Sequence, residues 1–131
     1  MNTIKTLLLA LAILAFNACA TTATFPISNL VPAADISAKK KTDKNNNISL
    51  EITAKNLASP KRLNPPGNTY SVWIVTEEHG TKNVGQLDVK NAEKTTLETV
   101  TPFDFNELFI TVEDEGDLKA PEGREISRTK I

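Results

Sequence analysis

The chain has 131 residues, of which 40% are hydrophobic and 24% are charged, and its formal net charge is −1 at pH 7. This balance argues against a nucleic-acid partner, which would require a strongly basic face, and the length predicts one folded domain. The single cysteine excludes an internal disulfide, so we expect the domain to be held together by its hydrophobic core.

Residues 1–18 have the pattern of a secretory signal peptide. A short polar start, whose only charge is Lys5, is followed by an unbroken apolar run from Leu7 to Phe16. A positive start, a short apolar run and small residues at its end are typical of such signals. The run is shorter than the about 20 residues that a membrane-spanning helix needs, so we exclude it from the fold.

Two processing sites compete at the end of the apolar run. Ala18 followed by Cys19 resembles the cleavage site of a bacterial lipoprotein, in which the cysteine carries a diacylglycerol, although Phe16 and Asn17 fit that pattern less well. Alternatively, cleavage after Ala20 at an A-x-A site would release a cysteine-free protein. We favour lipidation of Cys19, because a lone cysteine at this position is otherwise unexplained. The expected location is then the bacterial cell envelope, with the domain in the periplasm or at the cell surface.

Residues 19–34 are predicted to form a tether between the lipid and the folded domain. Thr, Ala, Ser and two prolines dominate this segment, and it sustains no period of 2 or 3.6 residues. The alternative is that its apolar side chains pack along the domain as an edge segment; these are Phe25, Ile27, Leu30 and Val31. The folded domain is expected to span residues 35–131.

Three segments beyond the tether carry the clearest strand patterns. Residues 47–57 alternate apolar and polar side chains, which is typical of a strand with one buried face. Residues 69–78 are apolar on both faces, which predicts a central strand. In residues 107–114 the pattern places one set of side chains inward, Leu108, Ile110 and Val112, and another outward, Thr111 and Glu113.

Weaker strand candidates complete the fold prediction. They lie at residues 35–41, 84–90, 94–100 and 124–130, separated by turns rich in Asn, Gly and Pro. About seven short strands without a convincing amphipathic helix predict an all-β fold, an antiparallel β-sandwich. The lysine-rich segment 39–47 is interpreted as a hairpin or loop with a charged edge that deters edge pairing. Its alternative role is a patch for anionic lipid or glycan.

Residues 47–131 resemble the extracytoplasmic C-terminal domain of anti-sigma-K factors. That family shows a Tyr-x-Val-Trp strand, a Gly-bearing hairpin, a glycine that opens the next strand, a Phe-x-Val-Thr-x-Glu strand, and then a Gly-rich turn and a Pro-x-Gly. The matching positions in this chain are Tyr70, Val72, Trp73, Gly80, Gly85, Phe109, Thr111, Val112, Glu113, Gly116, Pro121 and Gly123. Asp114 and Asp117 depart from the proline and second glycine that are usual in that family.

The resemblance implies a β-sandwich but not the regulatory activity of that family. Its full-length members join a cytoplasmic sigma-binding region to a membrane-spanning helix. Here a signal peptide stands in place of both. The resemblance therefore implies only the outward-facing module.

His79 is the only histidine, and Glu77, Glu78 and Gly80 flank it. One interpretation is a general base or metal ligand with carboxylate support. The other, which we favour, is a solvated hairpin turn. One histidine cannot build a histidine-rich zinc site.

The acidic run from Glu113 to Asp117 is the second candidate site. Its dense oxygen ligands suit calcium, but the spacing is not that of an EF-hand loop. We therefore interpret it as a solvated turn, and we expect no metal and no cofactor.

The aromatic residues offer a third kind of site. Tyr70 and Trp73 have the chemistry of a sugar-binding platform, but in a central strand we expect them to be core, with the tryptophan buried between two sheets. Phe103 and Phe105, just before a strand, are better placed to form an exposed contact.

These observations predict a lipid-anchored envelope module that is not an enzyme and acts by protein interaction or as a structural component. No nucleophile motif and no phosphate-binding glycine loop is found in the sequence. The first alternative is an extracytoplasmic signalling accessory that works with a separate anti-sigma or sensor protein. A hydrolase or metal-binding protein is the second, and it would require His79 to lie in a cleft with carboxylates.

Overall fold

The computed structural model describes residues 20–89 and 94–131. Within these ranges the chain forms eight strands and one 3₁₀ turn at Pro60–Arg62. The strands are β1 (Ala20–Thr24), β2 (Asp35–Thr42), β3 (Ile48–Lys55), β4 (Thr69–Thr76), β5 (Gly80–Leu87), β6 (Lys94–Thr101), β7 (Glu107–Glu113) and β8 (Arg124–Lys130). In the same ranges, no helix has the length and apolar character needed to span a membrane.

The strands form two antiparallel sheets of four strands each. The first sheet has the order β1-β2-β3-β6 and the second has the order β5-β4-β7-β8. The chain passes to the second sheet after β3, returns after β5 and passes over again after β6. The predicted antiparallel β-sandwich is confirmed, with eight strands instead of about seven.

Alternate residues of β3, β4 and β7 build the core between the sheets, because successive side chains of a strand point to opposite faces. The core-facing residues are Ile48, Leu50, Ile52, Ala54, Tyr70, Val72, Ile74, Leu108, Ile110 and Val112, all buried. The hydroxyl of Tyr70 donates a hydrogen bond of 2.7 Å to the carbonyl of Ala58, which satisfies its one polar group. Burial raises the pKa of Tyr70 to about 12.

Residues 20–34 pack against the sandwich. β1 is paired with β2 along its whole length. Phe25 and Val31 are buried and Leu30 is partly buried, whereas Ile27 is 79% exposed. Of the two alternatives for this segment, the packed edge describes residues 20–34 and the free tether does not. The physical reason is that Phe25 and Val31 join the hydrophobic core cluster and Leu30 packs against it, whereas leaving these side chains in water would be unfavourable.

The connecting segments gather at two opposite ends of the sandwich. We call one the hairpin end; it holds the start of β1, the β2–β3 turn (43–47), the β4–β5 turn (77–79), segment 102–106 and Ile131. We call the other the loop end; it holds the β3–β4 connection (56–68) and the β7–β8 loop (114–123).

Candidate functional site

His79 lies on the exposed β4–β5 turn at the hairpin end. The hydroxyl of Thr76 closes this turn, because it accepts a hydrogen bond from the backbone N–H of His79 (2.9 Å) and donates one to the carbonyl of Gly80 (2.7 Å). Gly80 has a φ of 70°, a conformation that glycine adopts without steric cost. The interpretation of His79 as a residue of a hairpin turn is confirmed.

The imidazole of His79 packs on an aromatic ring. Its centroid lies 4.9 Å from that of Phe103, at an interplanar angle of 52°. The ammonium group of Lys82 lies 5.3 Å from the centroid of the same phenylalanine. Within residues 20–89 and 94–131, the imidazole of His79 is thus positioned by a ring contact. An activated base is usually oriented by a hydrogen bond to a third group.

A depression of about 410 Å³ lies beside these rings. Glu77, Glu78 and Asp104 line it together with Lys40. Lys40 Nζ donates a hydrogen bond of 2.8 Å to Asp104 Oδ1 and another to the backbone carbonyl of Phe105. The hydrogen bond from Lys40 lowers the pKa of Asp104, so this carboxyl is ionised at neutral pH and pairs with the lysine instead of acting as an acid.

The two phenylalanines that line this depression, Phe103 and Phe105, differ in how deeply they are buried. Phe105 is 3% exposed and belongs to the core, whereas Phe103 is partly buried. The ammonium group of Lys40 lies 4.4 Å from the centroid of the Phe105 ring. Lys40 therefore fixes segment 102–106 to β2. The sequence analysis placed Lys40 with Lys39 and Lys41 in one charged edge. The alternation of inward and outward side chains along β2 nevertheless separates Lys40, which lies on the inner face, from its two exposed neighbours.

The second polar cluster surrounds Trp73, which is 0% exposed but does not lie between the two sheets. This corrects the expected position. Tyr70, Val72 and Ile74 occupy the core-facing side of β4, so Trp73 is on the outer face of the second sheet. The indole is stacked on Phe109 with centroids 6.2 Å apart, and the guanidinium of Arg128 lies 4.0 Å from the centroid of Phe109. A fully covered indole forms no exposed platform for a sugar.

Glu113 is 3% exposed, although the alternation of β7 predicted an outward, solvated side chain. The side chain is on the outer face as expected. Its carboxylate, however, accepts hydrogen bonds from protein groups where a solvated carboxylate would accept them from water. Thr111 Oγ1 donates to Glu113 Oε1 (2.7 Å), and the same hydroxyl accepts from Trp73 Nε1 (2.8 Å). The carboxylate also accepts the backbone N–H groups of Glu122 (3.1 Å) and Gly123 (2.8 Å).

The β7–β8 loop covers this outer face. Asn83 is the β5 residue paired with Trp73, and its Nδ2 donates to the carbonyls of Gly116 (2.9 Å) and Leu118 (3.0 Å). Gln86 Nε2 also donates to the carbonyl of Gly116. These bonds hold the first half of the loop over β5, and the Glu113 carboxylate holds the second half. No feature of the sequence pattern distinguished Asn83 or Gln86 as partners of this loop.

The acidic run is divided between two environments. Glu113 is buried and bonded internally, whereas Asp114, Glu115 and Asp117 are exposed. Within the part of the chain that the structure describes, no group of three or more His, Cys, Asp or Glu residues is placed to hold a metal ion. Glu113 therefore belongs to the hydrogen-bonded cluster around Trp73, whereas the rest of the run belongs to a solvated loop.

A cavity of about 630 Å³ lies at the loop end, between the β3–β4 connection and the β7–β8 loop. Arg124 lines it, and its guanidinium donates to the carbonyls of Asn64 (3.2 Å) and Pro65 (2.7 Å). Gly67 forms part of its wall, where an added Cβ would lie 2.4 Å from the side chain of Val112. The arginine therefore joins the two connections of this end.

Cys19, the residue predicted to be lipidated, lies outside the described residues, as does the predicted signal peptide of residues 1–18. The described part begins at Ala20, the next residue of the chain. The lipidation of Cys19 therefore stays a prediction from the sequence.

No protein-family model, no curated protein and no solved structure matches this chain. The class of protein is thus defined by the fold itself, an eight-stranded antiparallel β-sandwich.

Proposed function

We propose that this protein is a lipid-anchored module of the bacterial cell envelope that acts without catalysis, through binding to another envelope protein or as a structural component. The observation that carries the proposal is the position of Cys19. This cysteine follows the apolar run that ends at Phe16 and directly precedes Ala20, the first residue of β1.

The pairing of β1 supports cleavage before Cys19 over cleavage after Ala20. Ala20 is the first residue of β1 and is paired with Lys41 of β2. Cleavage after Ala20 would remove a paired residue from the edge of the sheet, whereas cleavage before Cys19 leaves β1 whole. A diacylglycerol on Cys19 would supply two acyl chains, which is the number that stable anchoring requires.

The surroundings of His79 support a role that does not involve catalysis. The imidazole packs on Phe103. Lys40 and Asp104, which line the same depression, form an ion pair with each other. The buried carboxylate of Glu113 is likewise bound to a hydroxyl and to backbone N–H groups. These groups stabilise the domain in its folded form, which is the behaviour expected of a binding or structural module.

The proposal is tested by the intact mass of the protein purified from bacterial membranes. A mass that begins at Cys19 and includes acyl chains supports the anchor. A mass that begins at Thr21 without lipid refutes it. The variant Cys19→Ala should lose the acyl mass and leave the membrane fraction, whereas Thr22→Ala, an exposed change in β1, should retain both.

The second candidate is a signalling accessory related to the sensor domains of anti-sigma factors. It is favoured because four residues that carry the resemblance to anti-sigma-K factors contact one another in the structure. Trp73 on β4 and Phe109, Thr111 and Glu113 on β7 lie on neighbouring strands and form one connected cluster.

Crosslinking in intact membranes distinguishes the two candidates. The signalling candidate predicts that an anti-sigma or sensor protein is captured. Capture of only structural envelope components favours the first candidate. A chain that crosslinks to no other protein while it is membrane-bound and folded contradicts the binding role in both.

A further inference from the structure

β1 leaves no free chain between Cys19 and the folded domain. Its first residue, Ala20, is paired with Lys41, and the pairing continues to Thr24 with Ser37. Consecutive Cα atoms are about 3.8 Å apart, so a lipid carried by Cys19 would be joined to the sheet through a single peptide bond to Ala20. We infer that the hairpin end of the sandwich lies against the headgroup layer of the bilayer that holds this lipid. The inference rests on the proposed anchor at Cys19 and adds the orientation of the domain.

The strand register identifies which residues share that end with β1. Ala20, Lys41, Ser49 and Val100 form one row across the first sheet, because each is paired with the next. The β2–β3 turn projects beyond this row. Asp43 Oδ1 stabilises it by accepting the backbone N–H groups of Asn45 (2.8 Å) and Asn47 (2.9 Å).

The hairpin end carries exposed charges of both signs, since Asp43, Glu77 and Glu78 lie on the same turns and segments as the lysines. Lys41 and Lys44 are exposed, and among the described residues neither makes an ion pair. Their ammonium groups are therefore free to contact lipid phosphates. Val100 is 67% exposed, and its apolar side chain loses water when the sheet approaches the interface.

The consequence is that the loop end faces away from the bilayer. β3 has eight residues and at about 3.3 Å per residue it spans about 26 Å. The β7–β8 loop and the loop-end cavity are then held at that distance from the lipid. They are the part of the domain that is open to other proteins of the envelope.

The inference is tested with the lipidated protein in vesicles of phosphatidylcholine and phosphatidylglycerol in equal parts. Cys19 is the only cysteine, and acylation consumes its thiol, so an introduced cysteine is the single site for a fluorescent label. Asn46→Cys places the label at the hairpin end and Asp117→Cys places it at the loop end, both at exposed residues. A lipid that carries a spin label on its headgroup then serves as the quencher.

We expect quenching at residue 46 to be several-fold stronger than at residue 117. Equal quenching at both positions, or stronger quenching at residue 117, overturns the orientation. A second pair, Glu78→Cys at the hairpin end and Lys119→Cys at the loop end, must give the same order. Circular dichroism confirms that each variant is folded.

The mass of the same preparations separates the two possible failures. Acylated protein with the wrong order of quenching overturns the orientation and leaves the proposed anchor intact. Protein without acyl chains that does not bind the vesicles refutes the anchor, and the orientation is rejected with it.

Discussion

Trp73 Nε1 lies 2.8 Å from Thr111 Oγ1, and that hydroxyl lies 2.7 Å from Glu113 Oε1. All three side chains are buried on the outer face of the second sheet. One hydroxyl thus accepts from the indole and donates to the carboxylate, and the carboxylate in turn holds the backbone of the β7–β8 loop. This chain of bonds joins β4, β7 and the loop that covers them.

Replacement of Thr111 by valine should remove the central link of this chain. The indole N–H loses its acceptor and Glu113 loses one donor, and each unsatisfied buried group costs about 1–3 kcal/mol. We expect the free energy of unfolding to fall by about 2–6 kcal/mol. Urea denaturation followed by the fluorescence of Trp73, the only tryptophan, measures it. The matched change Thr96→Val, at an exposed position of β6, should stay within about 0.5 kcal/mol, and equal losses in both variants would contradict the network.

Gly123→Ala tests the close approach of the β7–β8 loop to β7. An added Cβ would lie 1.7 Å from the carbonyl oxygen of Val112, so the backbone has to move and the N–H bond to Glu113 is strained. We expect a loss of about 3 kcal/mol or more. At Gly116 the nearest atoms, at 3.1 Å, belong to the flexible side chain of Gln86. Gly116→Ala should therefore lower the midpoint of thermal unfolding far less, and the reverse order would be inconsistent with this packing.

Tyr70 should make the domain less stable at alkaline pH. Its pKa is raised from 10.0 to about 12 by burial, whereas in the unfolded chain it ionises near pH 10. The unfolded state therefore binds fewer protons between these values, and stability that is fully present below pH 10 is lost as the pH rises toward 12. Tyr70 is the only tyrosine, so the ultraviolet absorbance of tyrosinate reports it alone. The midpoint should be near 12 in the folded protein and near 10 in urea, and Tyr70→Phe should abolish the signal and flatten the alkaline loss. A midpoint near 10 in the folded protein would refute the burial of this hydroxyl.

Adjacent lysines of β2 provide a matched pair of substitutions. Lys40 is bonded to Asp104 and to the carbonyl of Phe105, whereas Lys41 points to the opposite, exposed face. Lys40→Met should destabilise the domain by about 1.5–3 kcal/mol, the range for hydrogen bonds to charged groups. Lys41→Met should have an effect within about 0.5 kcal/mol. Chemical denaturation of both variants measures the difference, and similar stabilities would show that Lys40 does not fix segment 102–106.

Much of the sandwich could be predicted from side-chain periodicity. The alternation in β3, and the inward residues of β4 and β7, depend on a period of two that any half-buried strand must have. β1 was missed because its five residues are only Ala and Thr, which carry no apolar alternation. Its strand conformation comes from hydrogen bonds to β2, and a single sequence does not record such a partner.

The candidate site was less accessible to sequence reasoning. The turn position of His79 follows from Gly80 and the polar residues around it, because turn chemistry is local. The burial of Glu113 depends on backbone N–H groups of residues 122 and 123, and the covering of Trp73 depends on where Asn83 and Gln86 fix a loop thirty or more residues away. The loop residues lie nine and ten positions from Glu113 and thirty or more from Asn83 and Gln86, and the period of a strand pattern records neither spacing.

The sequence by itself determined the all-β class, the central position of β4 and the place of Cys19 at the end of the apolar run, since periodicity and order along the chain are properties of the sequence. Only the tertiary structure decided that residues 20–34 pack on the sandwich, that Trp73 is buried on the outer face and that the carboxylate of Glu113 is internal. The physical reason is that an apolar side chain is buried where another segment covers it, and a charged side chain is buried only where another segment also supplies its hydrogen bonds. Which segment does so depends on contacts between residues that are far apart in the chain.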